Sequence, residues 1–332
     1  MPLRLALLGV WHVHAPGMFR QIVSHPTEFT LVGIHDPDRR VLERRVDEWS
    51  PQCPDLKTFV SSEELLKQPL DGVIVEGRVS WNLGAARQAL ERNLPVLLEK
   101  PAGTNLDEFR RLADMARDRR LHLQMAYLFR WLPVLREIVA RVRRGELGDV
   151  YEFRARLPKD IGAYPEYVDT LGEYPGGIFF EMAGHLIDLM VTLLGPPRQV
   201  TPFLAHQHRE CSSTFVDHGV AVFEFDGAFG TIEVSALESV PNSRRIEVFG
   251  TGGGCIVPHL GSGHLANRPI QRLEVAIACD TSWQTLEFPE SPLQIADLRE
   301  FAAVVRGEKT PEFSLEHDLI VQEMLLRASG MD

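Results

Sequence analysis

Apolar runs and stretches of helical polarity alternate along the first 126 residues of the chain. The run 3–9 is aliphatic apart from one arginine and ends in Gly9, a pattern typical of a buried strand. Strands that alternate with helices indicate βαβ crossovers and therefore a parallel, doubly wound sheet. The predicted strands are 3–9, 30–36, 58–60, 72–76, 95–99 and 122–126, and the predicted helices are 19–23, 39–49, one that opens at 61–64, 82–93 and 106–119.

From residue 127 onward the order of elements changes. A two-residue hairpin signal, Asp226-Gly227, separates two apolar runs, and the glycines at 250–254 precede no helix and are interpreted as a turn. The expected architecture is an α/β chain in which an N-terminal Rossmann domain (1–126) precedes a C-terminal α+β domain (127–332) with a large, mostly antiparallel sheet. Its predicted helices are 132–144, 178–194, 295–306 and 315–328, and its predicted strands are 149–157, 219–225, 228–235 and 244–249.

Composition narrows the function classes. The 332 residues carry 35 Lys and Arg against 46 Asp and Glu, a net charge of −11, so we expect neither nucleic acid nor a membrane as partner. No run of 18 apolar residues occurs, which argues against a membrane span. The four cysteines are scattered, without a Cys-x-x-Cys pair, so we expect a cytoplasmic protein without disulfides or a zinc ribbon.

The first two predicted strands end at the positions where a dinucleotide site is anchored. Gly9 opens the loop, but Trp11 and His14 stand where the glycine-rich fingerprint has its other two glycines. Asp36 ends the second strand, where a carboxylate accepts from both ribose hydroxyls and repels a 2′-phosphate. NAD is therefore favoured over NADP, although two arginines follow closely and a turn residue is the alternative interpretation of Asp36.

His12 and His14 form a His-x-His pair in the same loop. On a strand such a pair could bind a metal, but the helix expected to begin here places the rings on different faces. No further ligand cluster lies nearby in sequence. We therefore predict no metal site and expect both rings to line the nucleotide or substrate pocket.

Ionisable residues on the apolar helix 178–194 are the strongest chemical signal. Glu181, His185 and Asp188 follow one another at the spacing of a single helix face, where burial costs free energy unless the groups are paired or functional. Gly184 within the helix suggests that another group approaches closely. A satisfied core histidine is the alternative for His185. Lys100 directly follows the strand 95–99, where either a ligand-facing or an ordinary exposed lysine is consistent with the pattern.

Two motifs together resemble the glucose–fructose oxidoreductase/inositol dehydrogenase (Gfo/Idh/MocA) family. They are Glu99-Lys100-Pro101 and the Gly-Gly-x-x-x-Glu-x-x-x-His-x-x-Asp motif at 176–188. In that family a Rossmann domain carries E-K-P and the second domain carries G-G-G-x-x-x-D-x-G-x-H-x-x-D. The resemblance extends over nearly the whole chain, through the stretches 127–133, 145–148 and 301–307.

The resemblance implies roles for individual residues. Lys100 corresponds to the catalytic lysine, often followed by a cis proline bond, and His185 to the histidine that exchanges a proton with the substrate hydroxyl. Glu181 replaces an aspartate that binds substrate, and Asp188 is expected to serve helix packing or to support the site. The expected cofactor-binding residues are Gly9, Trp11, His12, His14, Asp36, Gly77, Asn82, Glu99, Lys100 and Pro101.

The resemblance also implies an activity. We expect an NAD(P)-dependent oxidoreductase that acts on a secondary hydroxyl of a sugar, inositol or related polyol, assembled as a homodimer or homotetramer through its broad sheet. Tyr164, Tyr167 and Tyr174 cluster before the helix 178–194 and suit a polyol, although a self-packed surface loop explains them equally well. The alternatives are a relative that uses transient oxidation to cleave or eliminate a glycosidic group, and a non-catalytic nucleotide or sugar sensor.

Overall fold

The computed structural model describes residues 1–160, 168, 170–208, 215–238, 243–261, 270–277, 282–289 and 292–331. The chain divides into two compact units, of which the first comprises Met1–Ala126 and Gln294–Leu319 and the second comprises Tyr127–Leu293 and Ile320–Asp332. The sequence analysis assigns all of 127–332 to the second domain, whereas Gln294–Leu319 packs within the first unit.

The first unit alternates strand and helix, as the hydrophobic pattern predicts. In chain order its elements are β1 (Leu3–Leu8), α1 (Ala15–Ser24), β2 (Phe29–His35), α2 (Arg39–Trp49), α3 (Ser62–Leu66), β3 (Gly72–Val75), α4 (Val79–Glu91), β4 (Val96–Leu98), α5 (Leu106–Arg119) and β5 (Leu123–Met125). All neighbouring strands pair in parallel, in the order β2-β1-β3-β4-β5. The predicted doubly wound parallel sheet is thereby confirmed.

Local sequence explains where several helices begin. Asp38 accepts a hydrogen bond from an amide in the first turn of α2, and Ser61 and Asn105 cap α3 and α5 in the same way. The predicted strand 58–60 is wrong, because pairing there is limited to an isolated bridge between Thr58 and Ile34.

The strand order reverses between β1 and β3. In open α/β sheets, ligands bind beyond the carboxyl ends of the strands at such a reversal. β3 and β4 are buried along their full length, so their chemistry is confined to the segments that follow them. Those segments begin at Gly9 after β1, Glu76 after β3 and Glu99 after β4.

The second unit is built on one large sheet. Its elements are a 3-10 turn (Leu128–Trp131), α6 (Pro133–Arg143), β6 (Val150–Arg156), α7 (Gly177–Met182), α8 (Gly184–Leu194), β7 (Gln199–Ala205), β8 (His218–Glu224), β9 (Phe229–Ser235), β10 (Arg245–Gly250), β11 (Gly253–Val257), β12 (Ile270–Ile277) and β13 (Gln284–Pro289). The strand order is β13-β12-β11-β10-β6-β9-β8-β7, and apart from the parallel β6–β9 pair the neighbours are antiparallel. The predicted mostly antiparallel sheet is confirmed.

Helices cover one face of this sheet. A Cβ on Gly219 would lie 2.7 Å from the Phe179 ring of α7, and a Cβ on Gly230 would lie 2.3 Å from the Met190 sulfur of α8, so only glycine admits the helices this closely. The sequence analysis lacks β7, β11, β12 and β13. Except in β11, residues in these strands alternate between partly buried and exposed positions, which makes the apolar pattern weak.

The predicted helix 178–194 is not a single helix. α7 ends at Met182 and α8 begins at Gly184, with Ala183 between them. By contrast, the Asp226-Gly227 hairpin forms as predicted: Gly227 has φ +81° and the Phe225 amide donates to the Ala228 carbonyl at 2.9 Å.

Two further helices complete the chain, α9 (Leu293–Val305) and α10 (Leu315–Ala328). Both were predicted within two residues at each end, since their apolar positions recur with the helical period. A search of the described residues finds no helix whose length and apolar character would let it traverse a membrane.

Candidate active site

The loop after β1 requires glycine at its first position. Gly9 has φ +83°, and a Cβ there would lie 2.6 Å from the Cα of Gly77 and 2.8 Å from the Trp81 ring. The loops after β1 and β3 therefore approach within backbone contact at the reversal point of the sheet. This is the place expected for Gly9 and Gly77 in a dinucleotide site.

The rest of this loop lacks the second and third glycines of the dinucleotide fingerprint and is held in place by hydrogen bonds with side chains. The Val10 amide donates to Asp36 Oδ2 at 2.8 Å. Arg45 on α2 is buried and donates to the Val10 carbonyl at 2.9 Å and to the Trp11 and His12 carbonyls at 3.4 Å. Sequence analysis missed Arg45, because no motif connects a mid-helix arginine with a loop far upstream.

Asp36 is buried at the end of β2 and ties two backbone segments together. Besides the Val10 amide, it accepts from the Asp38 amide at 2.9 Å. Burial raises the pKa of the Asp36 carboxyl, against the opposing effect of these two N–H donors. The side chain thus serves both as a turn residue and as a support of the loop, and it lies where a ribose would be recognised.

Lys100 is not an ordinary surface lysine. It lies two residues after the end of β4 and is only 2% exposed, and the Lys100–Pro101 bond is cis, as the resemblance implies. A lysine is rarely buried to this degree without charged neighbours. Its charge acts to lower the pKa of both Glu76 and Glu99. The interpretation of Lys100 as an exposed residue is therefore wrong.

Three buried side chains and the partly buried His14 meet where β1, β3 and β4 end, and we refer to His12, His14, Glu76 and Glu99 as the loop cluster. His14 Nδ1 lies 3.1 Å from Glu99 Oε2, and His12 Nδ1 lies 3.7 Å from the same oxygen and 3.6 Å from Glu76 Oε2. The His14 amide donates to His12 Nδ1 at 3.3 Å. The fold thus supplies carboxylates to the His-x-His pair, which sequence proximity did not reveal.

The two carboxyl groups of the loop cluster titrate in opposite directions. Burial, reinforced by the charge of Glu99, raises the pKa of Glu76 well above its usual value. Burial acts on Glu99 in the same direction, but His12 and His14 outweigh it and lower the pKa of Glu99 to about 2. The loop cluster therefore favours ionisation of Glu99 over ionisation of Glu76.

Asn82 on α4 supports the assignment of this edge to a cofactor. It is 1% exposed, and in the part of the chain that the structure describes neither its amide nitrogen nor its oxygen has a hydrogen-bond partner. Such a buried amide costs free energy unless a ligand satisfies it. Together with the glycine contact between the loops, Asn82 shows that the residues present fit a dinucleotide.

In the second unit the His185 ring packs against two aromatic side chains. Its ring stacks on Phe129 at 4.5 Å and meets Tyr127 edge-on at 6.1 Å, and we call these two side chains the aromatic wall. Glu181 and His185 are both buried, at 3% and 4% exposure. The close approach anticipated from Gly184 is real, because a Cβ there would lie 3.2 Å from Tyr127 Cε1.

Asp188 has a structural partner. Arg130 Nη2 donates to Asp188 Oδ1 at 2.6 Å and Arg130 Nε lies 3.1 Å from both carboxylate oxygens, with both side chains 3% exposed. The guanidinium also lies over the Tyr127 ring at 4.9 Å. This buried ion pair ties α8 to the turn that carries the aromatic wall, in agreement with a packing or supporting role for Asp188.

The tyrosine cluster is only partly visible. Tyr164 and Tyr167 lie outside the described residues, whereas Tyr174 is buried with its ring 5.3 Å from Phe180. The ring of Tyr174 thus packs inside the unit, as the self-packed interpretation expects, and a polyol contact at Tyr174 stays a prediction. Of the predicted site residues, the cofactor set belongs to the first unit, and Glu181 and His185 belong to the second.

Comparison with known proteins assigns the chain to a family. Residues 3–127 match the model of an oxidoreductase family with an NAD-binding Rossmann fold, and residues 135–256 match the GFO/IDH/MocA C-terminal domain. The scyllo-inositol 2-dehydrogenase (NAD(+)) of Bacillus subtilis is 26% identical over 93% of this chain and 86% of that protein. The rhizopine catabolism protein MocA of Rhizobium meliloti is 28% identical over 60% of this chain and 62% of that protein.

A solved structure with a similar fold supports the assignment. The UDP-N-acetylglucosamine 3-dehydrogenase GnnA from Acidithiobacillus ferrooxidans superposes with a TM-score of 0.80 and 17% identity, over 100% of this chain and 98% of that one. The two family models together span both units of the fold described above. The chain therefore belongs to the GFO/IDH/MocA family of oxidoreductases and carries its NAD-binding Rossmann domain.

Proposed function

We propose that this oxidoreductase transfers hydride between NAD and a secondary hydroxyl of a sugar, inositol or related polyol, with Lys100 and His185 as its proton-transfer pair. The observation that carries the proposal is the burial of Lys100 at the carboxyl end of β4, in an NAD-binding sheet, beside the cis Pro101 bond. Burying an ammonium costs free energy, so a buried lysine at this edge of the sheet is a better candidate for a functional residue than an exposed one.

Each residue has a chemical task in this proposal. When bound, NAD accepts the hydrogen and the electron pair of the carbinol C–H bond. A ring nitrogen of His185 takes the hydroxyl proton, so that the alcohol becomes a ketone and the charges balance. The Lys100 ammonium stabilises the negative charge that develops on the oxygen.

The environment of His185 suits a base. The aromatic wall packs against the ring, with centroids 4.5 Å from Phe129 and 6.1 Å from Tyr127, and the residue is 4% exposed, so little water reaches it. Glu181, one helical turn earlier and 3% exposed, is assigned to bind a neighbouring hydroxyl of the substrate. The polyol class is supported by the similarity to scyllo-inositol 2-dehydrogenase.

Cofactor binding and turnover test the proposal separately. Isothermal titration should show NAD binding, more tightly than NADP because of Asp36. A panel of inositols, aldoses and their acids should then contain a substrate that reduces NAD, followed by the absorbance of the reduced nicotinamide. Binding without reduction, combined with loss of a glycosidic group, would establish the transient-oxidation chemistry instead.

Variants of the pair complete the test. Lys100→Ala should abolish most turnover while NAD affinity stays within a few-fold, and Lys67→Ala, which removes an exposed lysine on the same unit, should change neither. Full turnover by Lys100→Ala would overturn the assignment of the lysine.

We further propose that copies of the chain associate through the open face of the eight-stranded sheet, in a cytoplasmic setting. Phe203 and Phe229 lie on that face at 61% and 60% exposure, whereas the opposite face is covered by helices. Sedimentation should show a dimer or tetramer that Phe203→Glu and Phe229→Glu dissociate, while Val60→Glu in the first unit does not. A monomeric wild-type chain would contradict the proposal.

The cytoplasmic setting agrees with Cys53 and Cys255, which are both free thiols.

A further inference from the structure

The loop cluster has the composition of a metal site. Two imidazoles and a carboxylate, from His12, His14 and Glu99, place one donor atom each within 4.8 Å of one another. Glu76 adds a second carboxylate 3.6 Å from His12 Nδ1. These residues all belong to the first unit, where β1, β3 and β4 run side by side.

The spacing of the donors matches tetrahedral coordination. Zinc lies about 2.0–2.2 Å from nitrogen and oxygen ligands, so two ligands of one tetrahedral ion are about 3.3–3.5 Å apart. The separations of 3.1, 3.6 and 3.7 Å between His14 and Glu99, His12 and Glu76, and His12 and Glu99 surround that value. These three contacts are therefore close to the separations that one tetrahedral ion requires, and the donor atoms of His12, His14 and Glu99 all lie within 4.8 Å of one another.

The carboxylates provide a second, independent observation. Glu76 is 0% exposed, and with both acids ionised its two side-chain oxygens and Glu99 Oε1 have no hydrogen-bond partner among the described residues. Two buried carboxylates facing one another need either a shared proton or a cation. His12 Nδ1 lies 3.6 Å from one of these oxygens, Glu76 Oε2, and both histidine nitrogens lie within 3.7 Å of Glu99 Oε2, so a cation bound here would have nitrogen and oxygen donors.

We propose that His12, His14 and Glu99, with Glu76 as fourth ligand, bind one divalent transition-metal ion of the zinc type. Imidazole nitrogens select Zn²⁺, Co²⁺ and Ni²⁺ over Mg²⁺ and Ca²⁺, which prefer oxygen ligands. The His14 amide donates to His12 Nδ1 at 3.3 Å through the lone pair that an ion would take, so metal binding at Nδ1 replaces this long hydrogen bond. His14, whose side chain is 16% exposed, gives the ion a path from solvent.

The charge of Lys100 opposes binding of a cation in the loop cluster. Its ammonium acts on both Glu76 and Glu99, so it repels a cation in the loop cluster. Replacing this lysine with an uncharged side chain of similar length should therefore tighten metal binding. Loss of any of the three ligand side chains should weaken metal binding. The proposal therefore predicts variants that tighten and variants that weaken binding of the ion.

The test uses the full chain and reads metal binding, not turnover. After dialysis against a chelator, Zn²⁺ titrated by calorimetry should bind at one ion per chain, and Co²⁺ should develop the visible bands of a tetrahedral site, whereas Mg²⁺ should not bind. His14→Gln and Glu99→Gln should each weaken Zn²⁺ binding at least tenfold, and Lys100→Met should strengthen it several-fold. His25→Gln is the matched control, since it alters a half-buried histidine of the same unit that bonds the Gln21 carbonyl.

Several results would overturn the metal site. Absence of stoichiometric binding by the wild-type chain would show that a shared proton holds the carboxylates together. Unchanged affinity in folded His14→Gln and Glu99→Gln, verified by circular dichroism, would place any bound ion elsewhere. NAD affinity is measured on the same samples, so a failure of cofactor binding is distinguished from a failure of metal binding.

Discussion

At the carboxyl edge of the five-stranded sheet, buried charges lie beside other charges, whereas on α8 of the second unit a buried imidazole lies against aromatic rings. In the loop cluster, the pKa values of Glu76 and Glu99 are shifted in opposite directions by burial and by neighbouring charges. His185 is instead held by ring stacking, and its nearest ion pair, Arg130–Asp188, is complete in itself. The first region is suited to binding a charged ligand and the second to orienting a base.

The largest expected effect is on turnover. His185→Ala removes the proposed base, and turnover should fall about 10²- to 10⁴-fold, the usual contribution of a general base. Because the imidazole stacks on an apolar ring, Phe129, the chain should remain folded with NAD affinity unchanged. Steady-state kinetics and calorimetry measure these quantities, with His25→Ala as control. Turnover within twofold of wild type would remove His185 from the chemistry.

The next largest expected effect is a loss of stability when the buried Arg130–Asp188 ion pair is broken. Asp188→Ala leaves Arg130 buried without its carboxylate, and the free energy of unfolding should fall by about 3–5 kcal/mol. Urea denaturation followed by fluorescence gives this value. Asp71→Ala, which breaks an exposed pair with Arg4, should have a much smaller effect. Equal losses at the two sites would show that the Arg130–Asp188 pair is not the tie that positions α8.

A moderate effect is expected on cofactor choice. Asp36→Asn removes the charge that faces the ribose and weakens the bond to the Val10 amide. Since a hydrogen bond to a charged group contributes about 1.5–3 kcal/mol, NAD affinity should fall about 10- to 100-fold. NADP should lose less, because a repulsive charge is removed at the same time. Titration of both nucleotides checks this, and an unchanged NAD-to-NADP ratio would exclude Asp36 from recognition.

The smallest expected effects are changes in the free energy of unfolding when either of two helical glycines is replaced by alanine. A Cβ on Gly84 in α4 would meet nothing within 4 Å, so Gly84→Ala should stabilise the chain by about 0.5–1 kcal/mol through helix propensity. A Cβ on Gly184 would press on Tyr127 of the aromatic wall at 3.2 Å, so Gly184→Ala should gain less or lose stability. Paired urea denaturation curves measure the difference. Equal gains would show that the aromatic wall yields freely.

Elements with a strong pattern of their own were predictable from sequence. The helices 39–49, 106–119 and 315–328 match their predicted bounds, because apolar period and end residues agree there. The edge strand β13 was not found, since its positions are exposed or only partly buried and carry little apolar signal, and its neighbour β12 was missed as well. The break at Ala183 was missed as well, because the sequence around it remains helical in character.

The sequence by itself determined the family, the parallel and antiparallel sheets, and the candidates Lys100, Glu181, His185 and Asp36, because motifs and hydrophobic period are local properties of the chain. Tertiary structure decided what surrounds them. Glu99 meets His14 across 85 positions only because β4 and β1 end at the same edge of the sheet. Arg45 and Arg130 found their partners in the same way, since side-chain environment depends on which distant segments the packed strands and helices bring together.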